Sequence, residues 1–291
     1  MTMLHNLPPH CRLVALVIFC VLSVSPLLAA QNPKELMTDA CHNELRQRKQ
    51  TALWASQVER RTGGHVYREQ EIDTVDGPVD RLLSVDGHEP SPSEQKQDND
   101  RLRELENRKA RLTLKKDREA EERKVDDLLR VIPDIFLYED RGKHGSSEKL
   151  AFFPIQPTNP ATYEEAALHS MSGVVLIDVR EKRLAQFSAT LTQQVNFAHG
   201  LLGHLNKGGM VEVKRVQLSP GVWETSLFRT DLDGRFAIFK SISKHLDETR
   251  SDFEPVSPDT NIQRALEQIV GKSAIVSQPT PTDVERSHES E

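Results

Sequence analysis

Short runs of alternating apolar and polar residues occupy much of the chain between residues 52 and 256. An alternation with period two is typical of β-strands, and glycine or proline turns separate these runs. The turns lie at Gly63-Gly64, Asp76-Gly77-Pro78, Ser219-Pro220-Gly221 and Asp233-Gly234, and a further hairpin is expected around Glu181-Lys182. Because the later runs follow one another without an intervening helix, we expect consecutive antiparallel strands in one sheet.

Two segments that flank this strand region show helical signals. Asn32 is a suitable helix cap and Pro33 suits the first turn, so a helix is expected to begin there. In "NIQRALEQIV", which starts at residue 261, the spacing of apolar residues favours a second, short helix. We expect residues 273–291 to form a flexible tail.

Charged residues of both signs dominate residues 98–130. Their leucines recur at helical spacing, so we expect one long or two shorter helices ending at Pro133, within an insertion at about 94–132. The preceding segment, 88–100, is predicted to be a polar connector. Two interpretations stay open: a solvated helix on the sheet edge, or a coiled-coil site for a protein partner. We favour the first, because the heptad pattern of a coiled coil is not sustained.

The first thirty residues have the layout of a secretory signal peptide. Arg12 provides the positive charge, and an apolar run from residue 13 to residue 30 follows it. An uncleaved membrane anchor is the alternative interpretation of that run. No later segment is apolar enough to span a membrane, so we predict a periplasmic or secreted protein.

Charge and cysteine content exclude some classes of protein. Without Arg12 the chain keeps 37 of its 38 basic residues against 44 acidic ones, so nothing favours binding to nucleic acid. Cys11 and Cys20 lie in the signal peptide, which leaves Cys41 alone and no internal disulfide. The domain must therefore be stabilised by apolar burial.

Sequence motifs give no support to catalysis. In "FAHGLLGHLNKGGMV", from residue 197, Gly203 and Gly208 have P-loop spacing, but Gly209 and Met210 stand where lysine and serine or threonine belong. His199 and His204 are too far apart for a helical metal pair. "DLDG", from residue 231, lacks the later ligands of a calcium loop. We therefore predict no catalytic residue, metal or cofactor, and leave a hydrolase with a non-local site as the less favoured alternative.

Large apolar side chains are spread over the predicted strands and need a cover. The first helix and the segment 125–136 can lie across them, giving either a closed core or a cavity for an apolar ligand. The residues predicted to line such a cavity are Trp54, Ile177, Phe187, Leu201, Leu202, Trp223, Phe228 and Phe239.

Several phrases of the sequence resemble secreted bacterial proteins. "GVVLIDVREKRLAQFSATL", "FAHGLLGHLNKGG" and "GVWETS" are similar to members related to the half-barrel superfamily of periplasmic lipoprotein carriers, the LolA/RseB-like proteins, over about 52–256. The resemblance implies an α+β fold with a single strongly curved antiparallel sheet, a half-barrel, covered by helices. It also implies an apolar interior, which holds acyl chains in some members of the superfamily.

These observations together predict three segments and one function. The segments are the signal peptide 1–30, a half-barrel domain 31–256 with the helical insertion, and a C-terminal part 257–291. The expected function is non-enzymatic binding of an apolar small molecule or a lipoprotein acyl chain. The alternative is a protein-interaction or regulatory module that uses its charged helices, 98–130.

Overall fold

The computed structural model describes residues 32–48, 52–155, 162–197, 203–236 and 240–276. In this part of the chain the strands are β1 (Leu53–Thr62), β2 (His65–Ile72), β3 (Val79–Val85), β4 (Phe136–His144), β5 (Ser147–Pro154), β6 (Met171–Asp178), β7 (Arg183–Leu191), β8 (Val195–Phe197), β9 (Gly203–Leu205), β10 (Met210–Ser219), β11 (Val222–Phe236) and β12 (Lys240–Val256). The helices are α1 (Pro33–Gln47), α2 (Pro92–Glu104), α3 (Arg108–Ile135), α4 (Tyr163–Leu168) and α5 (Ile262–Val276).

All twelve described strands belong to one antiparallel sheet. Its order is β3-β2-β1-β12-β11-β10-β7-β6-β5-β4, with β9 paired to the far end of β11 and β8 paired to β9. The two ends of this order, β3 and β4, do not pair with each other, so the sheet is not closed into a barrel. The predicted antiparallel sheet and the α+β class are confirmed at this level.

The larger apolar core lies where α1 contacts β4, β6, β7 and α3. Its buried α1 residues, Leu36, Met37, Ala40 and Cys41, follow the spacing of one helical face, which explains why the segment folds as a helix here. Beneath them, the rings of Phe152 and Phe187 stack with centroids 5.1 Å apart. Their burial fixes α1 on this half of the sheet.

A second, smaller core lies at the other end of the sheet. There α5 contacts β2 and β3, and its residues Ile262, Ala265 and Ile269 are buried. They pack in one cluster with Ala55, Ile72 and Val79 of the sheet and with Leu102 of α2. Helix α5 continues to Val276, so residues 273–276, which were predicted to belong to the tail, are helical, and the rest of that prediction lies outside the described residues.

The turn predictions differ in outcome. Lys182, in the predicted hairpin between β6 and β7, has a φ of 50°, and Gly63 and Gly64 join β1 to β2 with φ of 60° and 84°. The turn predicted at Asp233-Gly234 is wrong, because both residues lie inside β11. A Cβ on Gly234 would lie 2.2 Å from the carbonyl oxygen of His204, so glycine permits the close approach of β9.

The predicted polar connector is wrong over much of its length. Helix α2 begins at Pro92 because Ser91 and Glu94 form a capping box, with reciprocal bonds between side chains and backbone. The charged segment forms two helices, α2 and α3, and not the single long helix that was the other expectation. Pro133 lies inside the last turn of α3, which ends at Ile135 rather than at the proline. Strand β4 and helix α4 were not predicted.

Some predictions fall outside the described residues. The signal peptide 1–30 and residues 198–202 of the glycine-rich segment, with His199, belong to these. Within the described ranges, no helix combines the length and the hydropathy that a membrane crossing requires.

Candidate functional site

A cavity of about 720 Å³ lies between the helices α1, α3 and α4 and the strands β7, β10 and β11. Val125, which is 40 % exposed, lies on its rim. Most of its wall is apolar, formed by Met37, Leu53, Leu128, Leu129, Ile132, Ala167, Leu168, Met171, Leu184, Phe187, Val211, Val213, Trp223, Phe228 and Leu232.

The polarity of the wall changes in one direction along helix α3. The lining residues of α3 run from Ile132 and Leu129 through Asp126 to Glu122 and Arg118. At 1.5 Å per residue these positions span about 21 Å of helix. The cavity is therefore elongated, with an apolar end beneath the C-terminal half of α3 and a polar end beneath its middle.

The opposite wall changes in the same direction. On β10 the lining residues pass from Val211 and Val213 to Arg215, and on β11 they pass from Leu232 and Phe228 to Glu224. Helix α3 and the hairpin of β10 and β11, which is distant from it in sequence, therefore share one polarity gradient. A cavity of this kind suits a molecule with an apolar chain and a polar head.

A buried ion cluster stands at the polar end. Glu44 of α1 accepts bonds from Arg183 Nε at 2.9 Å and Nη2 at 2.7 Å, from the Leu184 N–H at 3.0 Å, and from Arg215. Burial alone would raise the pKa of Glu44, but the bond from Arg183 and the charges of both arginines outweigh it, so that the pKa lies below its ordinary value. The carboxylate stays ionised and ties α1 to β7 and β10.

Trp223 closes the cavity beside this cluster. Its indole Nε1 donates to Glu181 at 2.8 Å, and its carbonyl oxygen accepts from Gln47 at 2.8 Å and from Arg215 at 2.5 Å. The bond from the indole is the main reason why the pKa of Glu181 is lowered. Trp223 is thus held in one orientation, with its ring in the wall.

Glu224, the next residue on β11, lines the polar end without a salt bridge to any described residue. Its burial and the charge of Asp73 raise its pKa, while Arg215, Arg250 and the indole of Trp54 act in the opposite sense. The Trp54 N–H is itself buried and has no hydrogen-bond partner of ordinary geometry in the described part of the chain. The Glu224 carboxyl can therefore accept further hydrogen bonds that no described residue supplies with ordinary geometry.

Helix α3 is held over the polar end by polar contacts of single residues. Arg118 donates to the Thr74 carbonyl oxygen at 2.8 Å and to Glu122 at 2.7 Å. Arg48, which follows α1, pairs with Asp126 at 2.8 Å. These contacts are half-exposed, in contrast to the apolar packing of the helix near Leu129 and Ile135.

Next to the cavity, β12, β1 and β2 carry a network of buried charges. Arg250 pairs with Glu71 and Glu248, and Arg60 pairs with Glu69 and Glu248. Burial raises the pKa of Glu71 to about 7 despite Arg250, and it also raises the pKa of Glu69. The network contains three carboxyl groups and two arginines, so the arginines do not neutralise all of its potential negative charge.

The structure places the predicted site residues in four groups. Phe187, Trp223 and Phe228 line the cavity. Ile177 is fully buried in the core that α1 covers and does not line the cavity. Trp54 lies beside Glu224 and not in the wall. Leu201, Leu202 and Phe239 lie outside the described residues.

Sequence reasoning missed the polar half of the site. Glu44 follows Met37, Ala40 and Cys41 at helical spacing, so a carboxylate on the buried face of α1 was a readable signal. Its partner Arg183 is 139 residues away in sequence, and no local pattern links the two. Glu224 carries no such signal, since its strand is apolar on both faces.

Two other kinds of reactive side chain in the described part of the chain lie outside the cavity wall. Burial raises the pKa of the Cys41 thiol to about 12, which makes it a poor nucleophile. Asp231, Asp233 and His245 have ligand atoms within 4.8 Å of one another, but all three are exposed and His245 Nδ1 lies 2.6 Å from Asp231. Exposed groups of this kind commonly hold no ion.

Comparison of the chain with protein-family models, with curated proteins and with solved structures finds no match.

Proposed function

We propose that this is an exported, non-enzymatic protein of the cell envelope that binds one apolar chain, such as an acyl chain, in the cavity described above. The observation that supports it is the elongated space of about 720 Å³ with a mostly apolar wall. This volume is within the roughly 300–1,000 Å³ that small-molecule sites in proteins occupy. Transfer of a chain from water into it would gain about 0.8 kcal/mol per buried methylene group.

The same proposal includes the finer form of the fold. In it the sheet curves into a half-barrel, and α1, α3 and α4 cover its apolar side, as in the LolA/RseB-like lipoprotein carriers. The unclosed sheet and the contacts of α1 with β4, β6 and β7 support this arrangement. The ligand enters where Val125 lies on the rim, and the polar contacts of α3 open to admit it.

The experiment compares two tryptophan substitutions on the same strand. Val213 lines the cavity, whereas Val216 is 37 % exposed and does not line it. Val213→Trp fills the cavity, so uptake of an environment-sensitive apolar dye is expected to fall at least about tenfold in affinity. Val216→Trp serves as the matched control and should bind the dye as the parent protein does.

Native mass spectrometry of the purified protein complements the dye measurement. A co-purifying or added single-chain lipid should appear on the parent protein and on Val216→Trp, and not on Val213→Trp. Equal uptake by both variants, or none by the parent protein, would refute the proposal.

The alternative function, partner binding through residues 98–130, has one observation in its favour. Arg108, Lys109, Lys116, Glu119 and Arg123 on α3 are exposed and make no ion pair with described residues. The charged residues of α2 that face the sheet already form ion pairs within the fold, since Arg101 pairs with Asp80 and Asp98. Charge reversal at Lys116 and Arg123 should leave dye uptake unchanged and weaken only a partner complex.

A further inference from the structure

The arginines at the polar end of the cavity are already paired. Arg215 is bonded to Glu44, Arg48 to Asp126 and Arg118 to Glu122. A carboxylate or phosphate head group entering the cavity would compete with the protein carboxylates for these arginines, and at Arg215 it would weaken a buried pair. Removal of one partner of a buried pair is strongly unfavourable.

Glu224 is the exception among the charged residues of the wall. It lines the cavity between Trp223 and Thr225, and it has no arginine within ion-pair distance in the described part of the chain. The charges of Asp73 and Arg250 act on Glu224, but neither residue lines the cavity, and Glu71 is paired with Arg250 in the charged network. Its oxygens are therefore the lining acceptors that a ligand can reach without disrupting an existing pair.

The polarity gradient fixes where a ligand's head would lie. An apolar chain packed against Val211, Val213 and Leu129 directs its head toward Arg215, Thr225 and Glu224. A head group that donates hydrogen bonds finds an acceptor there, and a cationic one also gains a charge-assisted bond. An anionic head would lie beside the Glu224 carboxyl, and the arginines of the wall already pair with protein carboxylates.

From this geometry we infer that the cavity selects single-chain amphiphiles whose head group donates hydrogen bonds and carries no net negative charge, such as hydroxyl, amide or ammonium heads, and that Glu224 binds the head. The inference rests on the proposed function, since it needs the chain to occupy the cavity. It assigns a specificity to the polar end that the apolar wall alone does not provide.

The test uses three probes with the same alkyl length: laurylamine, monolauroylglycerol and laurate. Affinities are measured at pH 7 by calorimetry, below the critical micelle concentration, for the parent protein and for Glu224→Gln. The parent protein should bind the amine and the glyceride about tenfold or more tightly than laurate. Glu224→Gln removes the charge and should reduce the preference for the amine over laurate by about tenfold.

A matched control and the opposite outcomes separate this inference from the proposed function. Glu267→Gln makes the same change of charge at an exposed position of α5 and should keep the parent protein's preference. Binding of the probes with laurate as the tightest, or an unchanged preference in Glu224→Gln, would overturn the head-group assignment while chain binding stands. Absence of binding by every probe would overturn the chain-binding function itself.

Discussion

Single buried charges decide how α1 is attached to the sheet. The Glu44 carboxylate and the Arg183 guanidinium are each 5 % exposed at the side chain, and four bonds converge on Glu44. Two ions so buried are stable together because each satisfies the other's charge and hydrogen bonds. The pair fixes one orientation of α1, and so the position of Met37 and Gln47 in the cavity wall.

Replacement of Arg183 by methionine should therefore destabilise the protein strongly. It leaves Glu44 buried with Arg215 as its remaining cation, and the loss is expected to be about 3–5 kcal/mol in the free energy of unfolding by urea. The double variant Glu44→Met/Arg183→Met should lose less than the sum of the two single changes, by about 2 kcal/mol. Strict additivity would show that the two residues do not act as a pair.

At the scale of elements, local sequence signals account for much of the fold. The capping box at Ser91 and the glycines between β1 and β2 act through neighbouring residues, so they can be recognised in the sequence alone. Strand β4 escaped prediction because its outer half, "EDRGKH", is polar and exposed. It is a strand because β5 pairs with it in a hairpin, so the cause lies in the neighbouring strand and not in the pattern of β4 itself.

The site was less predictable than the fold, for a related reason. The aromatic residues Phe187, Trp223 and Phe228 could be identified because large apolar residues on strands are usually covered. The polar end depends on contacts between α1, β7, β10 and β11, which no local pattern specifies. The Asp233-Gly234 turn failed likewise, since the glycine serves the approach of β9.

The polar contacts of α3 should control how readily this helix moves away from the cavity. Arg118→Ala removes the bonds to the Thr74 carbonyl and to Glu122. Their loss should make the opening of α3 away from the cavity easier by about 1 kcal/mol. Hydrogen exchange over residues 108–125 should become several-fold faster, and a bound dye should dissociate several-fold faster. Arg123→Ala, an exposed arginine on the same helix, is the control and should change neither rate. Equal rates in Arg118→Ala would contradict its role in holding the cover.

On the scale of the whole molecule, the sheet has an apolar half and a charged half. The larger core lies on β4 to β7, beneath α1, whereas the ion-pair network of Arg60 and Arg250 lies on β12, β1 and β2, beside the smaller core. The cavity lies at the boundary between the two, which explains why α3, β10 and β11 share one polarity gradient. An amphipathic site follows from the distribution of residues over the sheet and needs no dedicated motif.

This division also predicts how stability depends on pH. Burial raises the pKa of Glu71 to about 7, from 4.5 in an unfolded chain, and raises the pKa of Glu69, Asp73 and Glu224. A carboxyl with a raised pKa binds its proton more tightly in the folded state. Its contribution is therefore fully present below pH 4.5 and is lost as pH rises toward 7.

Glu44 and Glu248 act in the opposite direction, because their pKa values are lowered in the folded protein. Their contribution is present above pH 4.5 and is lost as pH falls below it. The carboxyls with raised pKa values and those with lowered ones together place the expected maximum of the unfolding free energy at about pH 5. From there to pH 7 the free energy should fall with a slope of up to about 1.4 kcal/mol per pH unit for Glu71 alone.

Urea unfolding between about pH 5 and pH 8 measures this slope, and Glu71→Gln isolates its largest source. The amide cannot ionise, so the variant should lose most of the decline while retaining a hydrogen bond with Arg250. Glu59→Gln, at a half-buried carboxylate on β1 that pairs with Arg61 and Arg68, should keep the parent protein's slope. A parent protein whose stability rises from pH 5 to pH 7 would show that Arg250 holds Glu71 ionised, and that the charged half of the sheet is compensated after all.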